Sequence, residues 1–248
     1  MHNQHIELKK MARLAGVMYL LVIMIYMIGL TLNSSLHGGT FAASAESISS
    51  SQLLYRISLV LMLLGSVLSI FLAGALYAFL KTVNPNLARF ALLFRICEVV
   101  LGSTAKMALF TRLVIYTGTV SILSLEEQSA FSSLVRVAYE TGFNFSVLFF
   151  SFGSILFFYL MWTARFIPQL LSVFGLLASV SVTVVALANL IQPGLLPGNL
   201  WWMPIFLAEI ATGLWLSIKS INLEYWKQNL YSRASSDFNK ESNFYSAS

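Results

Sequence analysis

The sequence predicts an all-α integral membrane protein, a bundle of six transmembrane helices plus a short outer amphipathic helix. Three observations lead there. The 248 residues are 58% hydrophobic and only 10% charged, with a mean hydropathy of +0.78, whereas a water-facing domain carries about a quarter charged residues. Six stretches approach the about 20 apolar residues that cross a hydrocarbon core of about 30 Å. None alternates as a membrane β-strand does, and a segment alone in lipid must satisfy its own backbone, which a helix achieves.

The elements follow in order. Lys9, Lys10 and Arg13 lead into the first span, residues 12–32. A basic start before an apolar run also fits a secretory signal, with "ASA" at 43–45 as a cleavage site. The run exceeds the roughly 7–15 residues of a signal core, so it is expected to stay as a span. Residues 33–51 are small and polar and read as a mobile loop. Spans two to six are expected at 57–80, 90–116, 141–162, 170–191 and 202–218. Between spans three and four, Ser124 and Glu127 have capping-box spacing. Phe131, Leu134, Val135 and Ala138 then recur on one helical face, which predicts the outer amphipathic helix. "NPN" at 84–86 and Pro168 break the chain between helices. The domain organisation is thus an N-terminal segment at 1–11, a membrane domain at 12–222, and a polar, serine-rich tail at 223–248 with a disordered composition.

Basic residues set the orientation. With the N-terminus inside, the inner segments hold ten: Lys9, Lys10, Arg13, Lys81, Arg89, Arg165, Lys219, Lys227, Arg233 and Lys240. The outer segments hold Arg56 and Arg136, with Arg112 near the outer end of span three. This bias predicts cytoplasmic termini, with Trp201 and Trp202 in the outer aromatic belt. The net charge of +5 therefore reads as orientation and headgroup contact, not nucleic-acid binding. Cys97 is the single cysteine and is expected to be a small buried hydrophobe. Gly65, Ser69 and Ala73, and again Gly175, Ser179 and Thr183, repeat every four residues, which predicts close helix packing.

The informative residues are charges inside the apolar runs. A charge at mid-bilayer costs from about 2.5 to more than 10 kcal/mol, so it normally faces the bundle interior and is paired. At 100° per residue, Arg95, Glu98, Gly102 and Lys106 fall within about 80° of one another. Arg95 and Glu98 are three apart and can meet on one helix. Lys106 lies about 12 Å further out and needs another partner. Glu209 in span six is the first choice, with Glu140 and Asn144 second. Arg95, Glu98, Lys106 and Glu209 are thus expected to form a buried polar seam joining spans three and six. Glu98 and Glu209 are each followed four residues later by glycine, Gly102 and Gly213, a faint echo of the inverted repeats found in transporters.

Enzyme chemistry is disfavoured by the inventory. The histidines are His2, His5 and His37, all outside the expected spans, and the one aspartate is Asp237 in the tail. That leaves no bis-histidine haem site, no histidine-rich zinc site and no intramembrane aspartyl pair. A phosphate-binding glycine loop and a nucleophile elbow are also missing. No catalytic residue, metal or cofactor is expected. His37 with Glu46 offers a loop metal pair, against which a solvated loop histidine is the preferred reading.

Three stretches carry a family resemblance: "KKMARLAGVMYLLVI" at the start, "GALYAFLKTVNPNLARFALLFRICEVVL" across spans two and three, and "FLAEIATGLWLSIKSIN" at the end. Together with "GFNFSVLFFSFGSILFFYLMWTARFIPQLLSVFGLL" between them, they resemble the bacterial membrane family known only as domain of unknown function 4386, over about residues 8 to 222. The resemblance implies a multi-pass protein of a bacterial inner membrane and supplies no activity. Two functions fit the residues. One is a small transporter or permease in which Glu98 and Glu209 carry or gate a proton and Arg95 or Lys106 meets an anionic group. The other is a non-catalytic scaffold or sensor whose buried charges only fix helix packing. The expected partners are the lipid bilayer and, for the first reading, a small molecule or ion.

Overall fold

The computed structural model describes residues 2–118, 123–192, 195 and 200–223. Among these the chain is all-helical: α1 (His2–Ser35), α2 (Phe41–Ser50), α3 (Gln52–Leu80), α4 (Pro85–Tyr116), α5 (Leu125–Ala164), α6 (Gln169–Ile191) and α7 (Met203–Ile218). A single 3-10 turn, Leu200–Trp202, leads into α7. The expected tail at 223–248 lies outside the described residues except for Leu223.

Four helices, α1, α3, α5 and α6, are long and apolar enough to cross a membrane on those grounds alone. α4 has the length, 32 residues, but carries the interior charges. α7 is apolar but has only 16 residues, about 24 Å at 1.5 Å per residue. The outward-facing surface is apolar along the helices, with Phe71, Met107, Leu177 and Val184 more than half exposed. Exposed apolar surface on this scale marks a lipid-facing protein.

Six helices, all but α2, close into a ring. α1 packs on α3, α3 on α4, α4 on α5, α5 on α6, α6 on α7, and α7 back on α1. One end of the ring holds the start of α1, the α3–α4 and α5–α6 links and residues 219–223. There Ser220 Oγ donates to Lys9 O at 3.1 Å and Asn222 N to Phe166 O at 3.0 Å. This is called the terminal end below, and the other, which carries α2, the far end. Asn84 caps α4, accepting from the backbone N–H groups of Asn86 and Leu87 at 3.1 Å each, and Pro85 follows at a position where its missing N–H costs nothing.

Small residues set the crossings, at Gly65 and Gly175 as their spacing predicted and at Gly16 and Gly213 without such a signal. A Cβ on Gly16 would lie 2.4 Å from Ser217 N, and one on Gly213 would lie 3.0 Å from Tyr19 Cβ, so α1 and α7 touch almost backbone to backbone. Gly65 faces Tyr26 of α1, and Gly175 faces the Phe158 ring. The stripe on α6 also bonds across helices, with Thr183 Oγ1 donating to Ser151 Oγ at 2.9 Å.

Three expectations are corrected. Residues 33–51 are not a loop throughout, because Phe41–Ser50 is helical, with Thr40 Oγ1 accepting from Ala43 N. Its Ala and Ser content hid it, and Ile48 supplies its one fully buried apolar anchor. The outer amphipathic helix is not a separate element: the Ser124–Glu127 capping box is present, but it opens the 40-residue helix α5 that runs on through span four. Between Arg136 and Phe143 the one weak helix former is Gly142, and a single glycine with no proline beside it lowers helix propensity without ending the helix. Cys97 is exposed, not buried. It sits about 200° around α4 from Arg95, on the face turned away from the ring interior.

Candidate functional site

The described residues form two apolar clusters, which a polar stretch separates on α3 and α4, whereas on α5, α6 and α7 the larger cluster runs on past that level through Val147, Ala186 and Ile205. Near the terminal end, Ala12, Tyr19, Leu72, Phe79, Ala91, Phe157, Phe158 and Ala208 pack together. At the far end, Ile48, Tyr55, Leu59, Met62, Leu109 and Leu113 form a second cluster. On α3 the break falls between Met62 and Leu72, about 15 Å along the axis, and there the buried residues are Gly65, Ser66 and Ser69. On α4 the same interval carries Arg95, Gly102 and Lys106.

Arg95 and Lys106 are each 4% exposed. Arg95 Nε lies 3.1 Å from Glu98 Oε2, so the expected local ion pair is formed, although the N–H is not aligned as a hydrogen bond. The guanidinium also sits 4.5 Å from the centre of the Phe150 ring on α5, and Gly153 makes room for its methylenes. Ser146 Oγ donates to Glu98 O at 2.9 Å, tying α5 to the same turn of α4. Lys106 Nζ donates to Ser66 Oγ at 3.0 Å and to Gly102 O at 3.3 Å, and lies 5.6 Å from the Tyr26 ring centre. Tyr26 in turn faces Tyr139.

The expected Lys106–Glu209 pair is therefore not made. Lys106 is held on α3, and α7 packs on α1 and α6 rather than on α4. Helix rise explains the error. Measured from the terminal end, Glu209 is nine residues from Ile218 and Arg95 ten from Pro85, about 14 and 15 Å, whereas Lys106 is about 32 Å along α4. Glu209 accordingly lies at the level of Arg95, within electrostatic reach of Arg95 and Glu98. Tyr19 of α1 is within reach of all three. The second-choice partners are elsewhere: Glu140 pairs with Arg136 at 3.8 Å, both side chains more than half exposed, and Asn144 lines a cleft at the far end.

A double-mutant cycle distinguishes the two pairings. Lys106→Met and Ser66→Ala are expected to couple, because residues in contact are non-additive, whereas Lys106→Met and Glu209→Gln are expected to add within about 0.5 kcal/mol in detergent unfolding.

Several buried polar atoms of this layer have no hydrogen-bond partner among the described residues: Arg95 Nη1, Glu98 Oε2, Glu209 Oε1 and the hydroxyl of Thr212, one turn from Glu209 on α7. Sequence reasoning missed Tyr19, Tyr26, Ser66, Ser146, Phe150 and Thr212. One signal was available. Tyr19, Tyr26 and Asn33 are seven apart, which places them on one face of α1.

The polar column continues to the far end. Asn33 Nδ2 donates to Ser58 Oγ at 3.1 Å and Tyr55 donates to Leu109 O at 3.2 Å. Arg112 bonds to the Tyr116 hydroxyl. His37 is not the solvated residue expected: its Nδ1 is 2.8 Å from Asn33 O, its Nε2 is buried, and its ring contacts Tyr55 and Tyr116. No group of three metal-ligating side chains exists among the described residues.

Burial holds His37 below the ordinary histidine pKa. The nearby Arg112 charge adds to that, and the bond to the Asn33 carbonyl opposes it. A histidine whose folded pKa is lowered is stabilising when neutral, and that contribution is lost as pH falls through and below about 6.5. Lowering the pH from 7.5 to 5 is expected to lower the hydrogen-exchange protection factors of α2, measured relative to the slower intrinsic exchange at acid pH, because α2 covers this site through the Phe41–Tyr116 ring contact and the Ser49 bond to Tyr116 O. His37→Gln should remove the pH response.

The fold and this layer define the class: a helical membrane protein with interior charges. A model of the family described as Domain of unknown function (DUF4386) matches residues 14–220, and the chain belongs to that family. No curated protein and no solved structure gives a match.

Proposed function

We propose that the chain is a small transporter of six spans, with both termini on the cytoplasmic side of a bacterial inner membrane, whose working site is the mid-depth layer of Arg95, Glu98, Glu209 and Tyr19. One observation carries this reading: buried charges that are left with unpartnered donors and acceptors. A salt bridge kept only for packing is most stabilising when every polar atom is bonded, because each buried unsatisfied group costs about 1–3 kcal/mol. Here Arg95 is engaged by Glu98, and Glu209 has no ion-pair partner within 4 Å among the described residues. A carboxylate in that position inside a membrane bundle is suited to taking and releasing a proton. Arg95 Nη1 offers a donor to an anionic or polar solute beside it. The basic asymmetry read from the sequence supports the orientation.

The packing reading keeps one specific support. Lys106 finds both a hydroxyl and a carbonyl, as a residue that pins α4 to α3 would. It can hold for Lys106 while the layer below is functional.

The test is metabolite profiling of a deletion strain carrying either the wild-type gene or Glu209→Gln at matched membrane levels. Transport predicts that one class of small solute shifts between cell and medium on deletion, is restored by the wild type, and is not restored by Glu209→Gln. Full restoration by Glu209→Gln would refute the assigned role.

A further inference from the structure

We propose that the cleft between α5 and α6 at the far end is a binding site for a small uncharged solute that carries an amide or hydroxyl group on an apolar body. The inference is independent of the transport reading, because it rests on the cleft's own walls.

The cleft has a volume of about 70 Å³ and opens beside Trp201 and Trp202. A buried water needs about 10–15 Å³ measured in the same way, so there is room for a solute of several non-hydrogen atoms. Its α6 wall is Val182, Val185, Ala186 and Asn189, which recur at helical spacing and form one face about 10 Å deep. Val147 and Asn144 face it from α5, one turn apart. The polarity is therefore graded: valines at the base, two carboxamides above, and indoles at the rim.

The chemistry of the lining selects the ligand. Neither Asn144 nor Asn189 has a hydrogen-bond partner among the described residues, so together they offer donors and acceptors to an occupant. Among the described residues no charged side chain lines the cleft, and two amides do not replace the hydration of a full charge, so ions are disfavoured. Aromatic faces and valines suit an apolar body, and the combination matches the usual plan of a small-molecule site, mostly apolar with a few placed polar groups. A primary amide is the closest complement, since it both accepts from and donates to a carboxamide.

Acrylamide is a suitable probe, being a small neutral amide that quenches indole fluorescence. The full chain in nanodiscs would carry Trp162, Trp215 and Trp226 replaced by phenylalanine, which leaves the two cleft indoles, Trp201 and Trp202, as the reporters. Binding predicts a saturable static quenching component, with a midpoint on the order of millimolar for so small a ligand. That component should also be displaced by non-quenching propionamide. It should vanish in Asn144→Leu/Asn189→Leu and in Ala186→Phe, which fills the cleft from a different position. Unchanged circular dichroism identifies the variants that remain folded. Iodide should give only linear, collisional quenching. A linear acrylamide response insensitive to propionamide, or saturable quenching that survives both cleft variants, would overturn the proposal. Either result leaves the Glu209 experiment unaffected.

Discussion

Arg95→Met is expected to lower the unfolding free energy in detergent or bicelles by about 3–5 kcal/mol, the cost of removing one member of a buried ion pair and leaving the other uncompensated. The guanidinium is 4% exposed, lies 3.1 Å from Glu98 and rests on the Phe150 ring. Methionine keeps the methylene packing against Gly153, so the loss reports the charge rather than a cavity. Combining it with Glu98→Gln should recover part of that loss, because the double variant has no lone charge of this pair. Denaturant unfolding monitored by circular dichroism reads both numbers. A loss below about 1 kcal/mol for Arg95→Met would place the pair in the class of solvated surface bridges and contradict its position in the interior.

Glu209→Gln is expected to separate stability from activity. The amide has nearly the shape of the carboxyl and removes a charge that has no ion-pair partner, so unfolding should change by less than about 1 kcal/mol or become less favourable. Solute movement, once metabolite profiling has named the solute, should fall at least about tenfold, because an amide cannot exchange a proton. Glu140→Gln, at the exposed Arg136 pair, should leave both unchanged. Equal activity of Glu209→Gln and wild type in proteoliposomes would remove the carboxyl from the mechanism.

The contrast between these residues explains what was readable in the sequence. The Arg95–Glu98 pair was legible because it is local: three residues on one helix fix the geometry whatever the rest of the chain does. The inward face of α4 was legible for the same reason. The partner of Lys106 was not, since Ser66 is one serine among several in an apolar run and nothing local distinguishes it. Glu209 was paired with Lys106 because the helix lengths were not legible: Glu209 lies nine residues from the terminal end of the 16-residue α7, whereas Lys106 lies 21 residues along the 32-residue α4. The membrane class was legible from composition alone. The α2 cap was not, because ten residues of alanine and serine around one isoleucine carry a weak periodic signal, and its helix is held by Ile48, Phe41 and Ser49 packing on α4 and α3. The closure of the ring by α1 and α7 was hidden as well. Gly16 and Gly213 permit it, yet a single glycine in an apolar helix does not name its partner.

The central claim is that the mid-depth layer is a working site reached by water, not a dry device for helix packing. Thr212→Cys in a Cys97→Ser background tests it most directly. Thr212 is fully buried, its hydroxyl has no partner among the described residues, and cysteine is close to threonine in size. Methanethiosulfonate reagents react with the thiolate, which forms where water has access. The account predicts that Thr212→Cys in native membranes reacts with a small water-soluble reagent far faster than Leu177→Cys on the lipid-facing side of α6. Reaction no faster than at Leu177→Cys would contradict it and leave the interior charges as packing elements alone.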